Sequence, residues 1–232
     1  MDLAALRLSL ELAALTTVAL VVLGLPLAQA LAASRFRWKF LVEAAVSLPL
    51  VLPPTVLGFY FLFALGPRSL LGRALEAATG QRLAFSFGGL LLASIVYSLP
   101  FAVQPFVAAL SSVDSRLVEV SYCLGRSRLS TFLRVSLPLS WNGILAGAIL
   151  AFAHTLGEFG VVLMVGGNIA GRTRTLSIAL FDEVEALEYG AANRTAALLL
   201  AVSFLVLAVV YALQRRVFPG RPGPGAAAPG PR

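Results

Sequence analysis

Five apolar runs divide the chain, and each is separated from the next by a more polar stretch. The first, Leu12 to Ala33, carries no charge; a bilayer-spanning helix needs about 20 such residues. The second, Ala44 to Leu65, is also uncharged but contains Pro49, Pro53, Pro54 and Gly58. Prolines remove backbone donors that lipid cannot replace, so this run is expected either to face protein or a water-filled path, or to be a kinked structural helix. The third spans 83–110, with Pro100 and Pro105 expected to bend or end its helix and the uncharged stretch lasting to Val113. The fourth spans 141–167, altered in character only by His154 and Glu158, and the fifth spans 195–213. The pattern predicts an all-α integral membrane protein with five transmembrane helices, forming a single domain over residues 1–218. Gly66 to Arg82 and Asn168 to Arg194 are predicted links, the second with an acidic cluster of Asp182, Glu183, Glu185 and Glu188. Residues 219–232 are rich in Pro, Gly and Ala and are expected to form a disordered tail.

Composition agrees. The chain is 59% hydrophobic and 12% charged, with mean hydropathy +0.88, against roughly 25% charged residues in a soluble domain. Such a sequence cannot cover a water-facing surface. The net charge of +7 does not point to nucleic acid, because the basic residues lie between apolar runs and not on one face. A cleaved leader is not expected: Asp2 and Glu11 precede the first run, and the run exceeds the about 7–15 residues of a leader's apolar region. The single Cys123 allows no intrachain disulfide.

Charge then orients the chain. Eleven basic residues (Arg35, Arg37, Lys39, Arg116, Arg126, Arg128, Arg134, Arg215, Arg216, Arg221 and Arg232) fall in the first link, the third link and the tail. Seven (Arg7, Arg68, Arg73, Arg82, Arg172, Arg174 and Arg194) fall on the other side, together with seven acidic residues. The positive-inside rule places the first group in the cytoplasm, so the N-terminus is expected outside and the C-terminus inside.

The candidate chemistry begins in the third link, 114–138. Gly125 permits a turn that other residues resist, so a short helix can precede it and another follow. Leu129, Phe132 and Leu133 share helical spacing and predict an amphipathic surface helix from Ser127, the alternative being a positively charged loop that only sets topology. Pro138 suits the start of the next span. Within the spans, Glu158 is the only deep acid, and His154, four residues earlier, shares its helix face. The pair reads either as a polar element of a path or gate, or as a structural bond. Thr55 and Thr155 are neutral hydroxyls that either line a path or bond back to their own helix. No nucleotide-binding loop, nucleophile motif or metal-ligand cluster is present in the sequence.

These residues carry a resemblance. Glu119, Val120-Ser121, Gly125, Val135, Leu137 and Pro138 reproduce the spacing E-A-A, three residues, Gly, nine residues, I-x-L-P, which is the signature loop of ABC-importer permeases. Ser47 to Gly58 (SLPLVLPPTVLG) and Leu156-Gly157-Glu158-Phe159-Gly160 resemble segments of molybdate, tungstate and sulfate permeases. Gly167 to Leu176 is most similar to molybdate permeases, which often have proline where Ala170 stands. The resemblance covers about Phe40 to Leu213. It implies a permease subunit of the bacterial inner membrane that is not itself an enzyme. It also implies that Glu119, Gly125, Arg126, Ser127, Leu129, Phe132, Leu137 and Pro138 dock a separate ATPase. The pathway or gate would draw on Pro53, Pro54, Thr55, Thr155, Glu158 and Phe159. No cofactor or metal is expected on this chain; ATP and magnesium would sit on the partner. The implied partners are two cytoplasmic ATPase subunits, a second permease copy in a homodimer, an external oxyanion-binding protein and the lipid bilayer, with no nucleic acid. Molybdate is the expected cargo, with tungstate or sulfate as the alternative. An ion-coupled secondary transporter with a Glu158–His154 relay is the rival of a different class.

Overall fold

The computed structural model of the protein describes residues 2–34 and 36–217, without the side chains of 210 and 213–217. The expected disordered tail, 219–232, lies outside the described residues, as does Arg35. Among the described residues there are helices and no strands. Eleven α-helices are present: α1 (Leu3–Ala33), α2 (Lys39–Val51), α3 (Pro54–Leu65), α4 (Leu70–Thr79), α5 (Phe87–Ser111), α6 (Ser115–Cys123), α7 (Arg128–Thr131), α8 (Leu137–Leu156), α9 (Gly160–Gly166), α10 (Leu176–Glu185) and α11 (Tyr189–Val217). A π-helical turn, Phe132–Ser136, joins α7 to α8.

Four of these units are long and apolar enough to cross a membrane: α1, α5, the continuous stretch Arg128–Leu156, and α11 over Tyr189–Val209. The pair α2–α3 makes up to five if it is one broken span, since it bends by 109° between the two helices. That break falls at Leu52-Pro53, inside the proline-rich run. Pro100 and Pro105, by contrast, neither end nor divide α5, which runs 25 residues through both. The fourth apolar run behaves in the opposite way. The stretch 141–167 is not one helix: α8 ends at Leu156, Gly157 to Phe159 leave the helical ladder, and α9 begins at Gly160. Both polar links contain helices. Ser69 caps α4, accepting from the Gly72 N–H at 2.7 Å, and Gly80 at φ +69° ends it. Thr175 caps α10.

Close helix contact at small residues builds the centre. Phe106 of α5 is fully buried. A Cβ at Gly147 of α8 would lie 2.8 Å from its ring, and one at Gly24 of α1 would lie 3.2 Å from neighbouring Val103. A Cβ at Gly143 would stand 2.4 Å from that of Ala109. Small residues let backbones approach where lipid gives helices no hydrophobic reason to associate. Leu20, Ala28, Ala102, Ile144 and Ala151 complete this α1–α5–α8 core.

A second layer joins α9 to α5 through Leu90, Ala93, Val161, Val162 and Val165, all fully buried. The broken span lies over α9. A Cβ at Gly58 would sit 2.7 Å from Met164, and one at Gly160 2.9 Å from Pro54. At the end that holds the N-terminus, Ser9 Oγ accepts from the Leu176 N–H at 2.8 Å, tying α10 to α1. Leu198 and Leu199 of α11 pack against Ala5, Leu176 and Ala179. Farther along, Leu200, Phe204 and Leu205 of α11 are exposed, which suits a surface against lipid.

Candidate functional site: an exposed end stretch and a buried polar cluster

The stretch 114–138 lies at the end of the bundle where α1 and α5 finish. Asp114 caps α6, its carboxylate accepting from the Arg116 N–H at 2.9 Å. Gly125 follows α6 at φ +74°, with nothing near the place of a Cβ. Ser127 caps α7, accepting from the Ser130 N–H at 3.2 Å. The helix–Gly–helix expectation therefore holds in its local form, and a buried Ser121–Thr131 hydroxyl pair at 2.9 Å pins α6 to α7. The second helix is shorter than an independent surface helix, because it runs straight through the π turn into α8. Pro138 supplies the reason. A proline has no N–H, and its ring clashes with the carbonyl four residues back. The wider turn, in which the Leu137 N–H bonds Phe132 O, takes up that mismatch.

The side chains of this stretch divide by direction. Glu119, Gly125, Arg126, Ser127, Leu129 and Pro138 are exposed. Phe132 and Leu137 instead pack against the α1–α5–α8 core, so Phe132 does not share an outward face with Leu129. Sequence reading missed a set of exposed apolar residues: Leu117, Val120 and Leu124 join Leu129, with Leu124 at 75% and Leu129 at 67% exposure. Beneath α6 and α7 is a hollow of about 920 Å³ whose walls include Gln29 and Ala33 of α1, Ser111, Glu119 and Arg128.

The second place is buried. Glu158, in the break between α8 and α9, is 4% exposed. Ser94 donates to its Oε2 at 2.6 Å and Ser98 to its Oε1 at 2.7 Å. Ser98 also lies 2.8 Å from Thr155 Oγ1 and 2.9 Å from His154 Nδ1. A serine hydroxyl has one proton and two lone pairs. With that proton given to Glu158, the lone pairs of Ser98 face the Thr155 hydroxyl and His154 Nδ1. The His154 ring stacks on Phe101 at 3.8 Å between centroids and lies 4.8 Å from Tyr97.

The structure therefore brings Thr155, Glu158 and His154 together, and through the Gly160–Pro54 contact it sets the Glu158–Phe159 break beside Pro53, Pro54 and Thr55. These last three are exposed, whereas Thr155 turns inward to Ser98. The sequence reading did not name Ser94, Ser98, Tyr97 or Phe101. One signal was available: Ser94 and Ser98 stand four apart on one face of an apolar helix, where a buried acid on another helix needs donors.

The fold is a broken-helix membrane bundle with an exposed helix–Gly–helix at one end. The chain belongs to the family of binding-protein-dependent transport system inner membrane components, whose profile matches residues 20–219. It is 50% identical to the molybdenum transport system permease protein ModB of Azotobacter vinelandii, over 92% of this chain and 95% of that one. It is 36% identical to the protein of the same name in Haemophilus influenzae, over 89% and 90%. A probable sulfate transport system permease of Zygnema circumcarinatum is 33% identical over 90% of this chain and 72% of that one. Among solved structures, a bacterial ABC transporter that imports the acidic polysaccharide alginate matches with TM-score 0.78 at 16% identity, covering 92% of this chain and 79% of that one. The MetNI methionine ABC transporter in an inward-facing form matches with TM-score 0.74 at 17% identity, over 94% and 96%.

Proposed function

We propose that the chain is the permease subunit of an ATP-driven oxyanion importer with molybdate as cargo, and that 114–138 docks its ATPase. The observation that carries the docking role is the exposed apolar set Leu117 and Val120 of α6, Leu124 at its C-cap and Leu129 of α7, on two short helices pinned to each other. An apolar patch at the polar end of a membrane bundle is a protein-interaction surface. The surface is continuous with the bundle: α6 follows α5 after three residues, and α7 runs into α8. A push on the patch therefore reaches two spans directly.

The charge bias supports the cytoplasmic side for this end. Ala33 of α1 and Ser111 of α5 line the same hollow as Glu119 and Arg128, so the first and third links lie at one end of the bundle. The N-terminus would then lie outside, with Asp2, Arg174 and Asp182 clustered at the opposite end. Two copies of the chain would enclose the path, and two ATPase subunits would carry ATP and magnesium. The α2–α3 break fits the path wall, because backbone freed at a break cannot face lipid. An external binding protein would deliver the anion and hold the selectivity, since a tight site in the path would slow release.

The test uses exposed residues away from the core; Leu124 and Leu129 carry no backbone requirement, whereas Gly125 at φ +74° adds local strain when replaced. Carrying Leu124→Glu and Leu129→Glu together should abolish co-purification of the ATPase, with Gly125→Trp doing the same. ATPase retention at the wild-type level in all of these variants would overturn the docking assignment.

A further inference from the structure

We infer that Ser94 and Ser98 are positioning residues for transport: by holding Glu158 they fasten the α8–α9 break to α5. The inference rests on the proposed docking role of 114–138 and adds the route by which its motion reaches the path.

At the break the regular α-helical ladder stops, the last bond into α8 being Glu158 N–H to Thr155 O at 3.2 Å. Gly157 closes α8, and Phe159 at φ −130°, ψ −65° lies outside the helical region. With the helical ladder interrupted, α9 is joined to α5 by the apolar packing of Leu90, Ala93, Val161 and Val165, and a polar tie at the break adds direction to that packing. Glu158 supplies it. Its carboxylate is buried, and a buried charged or polar group without donors is costly. Both oxygens find hydroxyls on α5, four residues apart and so on one face. Ser98 is the hub, because it also lies within hydrogen-bond distance of Thr155 and His154 of α8, joining the last turn of α8, the break and α5 at one point.

The tie lies between the two working parts. Toward one end, α5 continues to Ser111 and, across Asp114, into α6. Toward the other side, α9 carries the broken span through the Gly58–Met164 and Gly160–Pro54 contacts. Displacement of α6 is thus passed along α5, through Ser94, Ser98 and Glu158, to α9 and the Pro53–Pro54 elbow. Without the serine donors the break would be held to α5 by apolar packing alone, its motion would follow that of α5 less closely, and hydrolysis would continue with less transport.

The experiment is molybdate uptake and ATP hydrolysis measured together, in proteoliposomes holding the full chain, its ATPase and the external binding protein. Uptake per ATP in S94A/S98A should fall about tenfold, a usual size for coupling between sites, while hydrolysis stays within about twofold of wild type. S98T, which keeps the hydroxyl, should restore much of the ratio in the S94A background, a rescue that a merely packing role would not give. An unchanged ratio in S94A/S98A would overturn the inference, as would a loss that S98T leaves unrelieved. If the double variant does not assemble, S98A and E158Q are read singly by the same ratio, and an unchanged ratio in both overturns it. Failure of the docking reading is separable, since it appears as retention of the ATPase by the Leu124 and Leu129 variants whatever the serines do.

Discussion

Glycines set the spacing of this bundle residue by residue. Gly147 lets α8 lie on the Phe106 ring, and a Cβ there would approach it to 2.8 Å. Gly147→Leu should therefore destabilise the protein by about 1–3 kcal/mol, the usual cost of overpacking. Thermal unfolding in detergent measures this, and an unchanged midpoint would show that α5 and α8 separate freely. Gly125 is a different case. Nothing occupies the space of its Cβ, so its requirement comes from φ +74° alone. Gly125→Ala should cost only about 1 kcal/mol and leave the core intact. At this scale Glu158 was legible, because a lone acid in an apolar run stands out. Its receptor was not: serines are ordinary in apolar helices, and only the packing of α5 against the break shows that Ser94 and Ser98 face it.

The elements show what local sequence decides and what packing decides. The proline run 49–54 was legible as a disturbed span, and the chain does turn by 109° there. Pro100 and Pro105 are the same residue type with no break, because α5 is clasped on both sides by α1 and α8. The break at Gly157 to Phe159 lay inside one apolar run: Glu158 marked the place as polar, but glycine is common in membrane helices and a single acid does not by itself interrupt a helix. The contact between the two breaks can be tested directly. A Cβ at Gly160 would meet Pro54 at 2.9 Å, and one at Gly58 would meet Met164 at 2.7 Å. Gly58→Leu should push α3 away from α9 and reduce uptake several-fold while the ATPase remains bound. Normal uptake would mean that this contact does not shape the path.

At the scale of the whole molecule, orientation comes from charge bias and is testable with a native probe. Cys123 is the only cysteine in the chain and is exposed, at the end of α6. A membrane-impermeant maleimide should label it in inside-out vesicles lacking the ATPase and spare it in intact spheroplasts. The reverse pattern would invert the topology. The helical membrane class was readable from hydropathy because a bilayer demands long apolar runs. The signature spacing from Glu119 to Pro138 pointed to the end surface, but the exposed leucines that arm it became visible only once the short helices were placed.

ATP-driven oxyanion import through this chain can be measured as uptake into proteoliposomes. The vesicles would contain the chain with its ATPase, and radiolabelled molybdate would be presented with the external binding protein. Uptake should require ATP on the ATPase side and the binding protein on the other, and should persist when ion gradients are collapsed. Uptake driven by a proton or sodium gradient without ATP would instead make the chain an ion-coupled transporter.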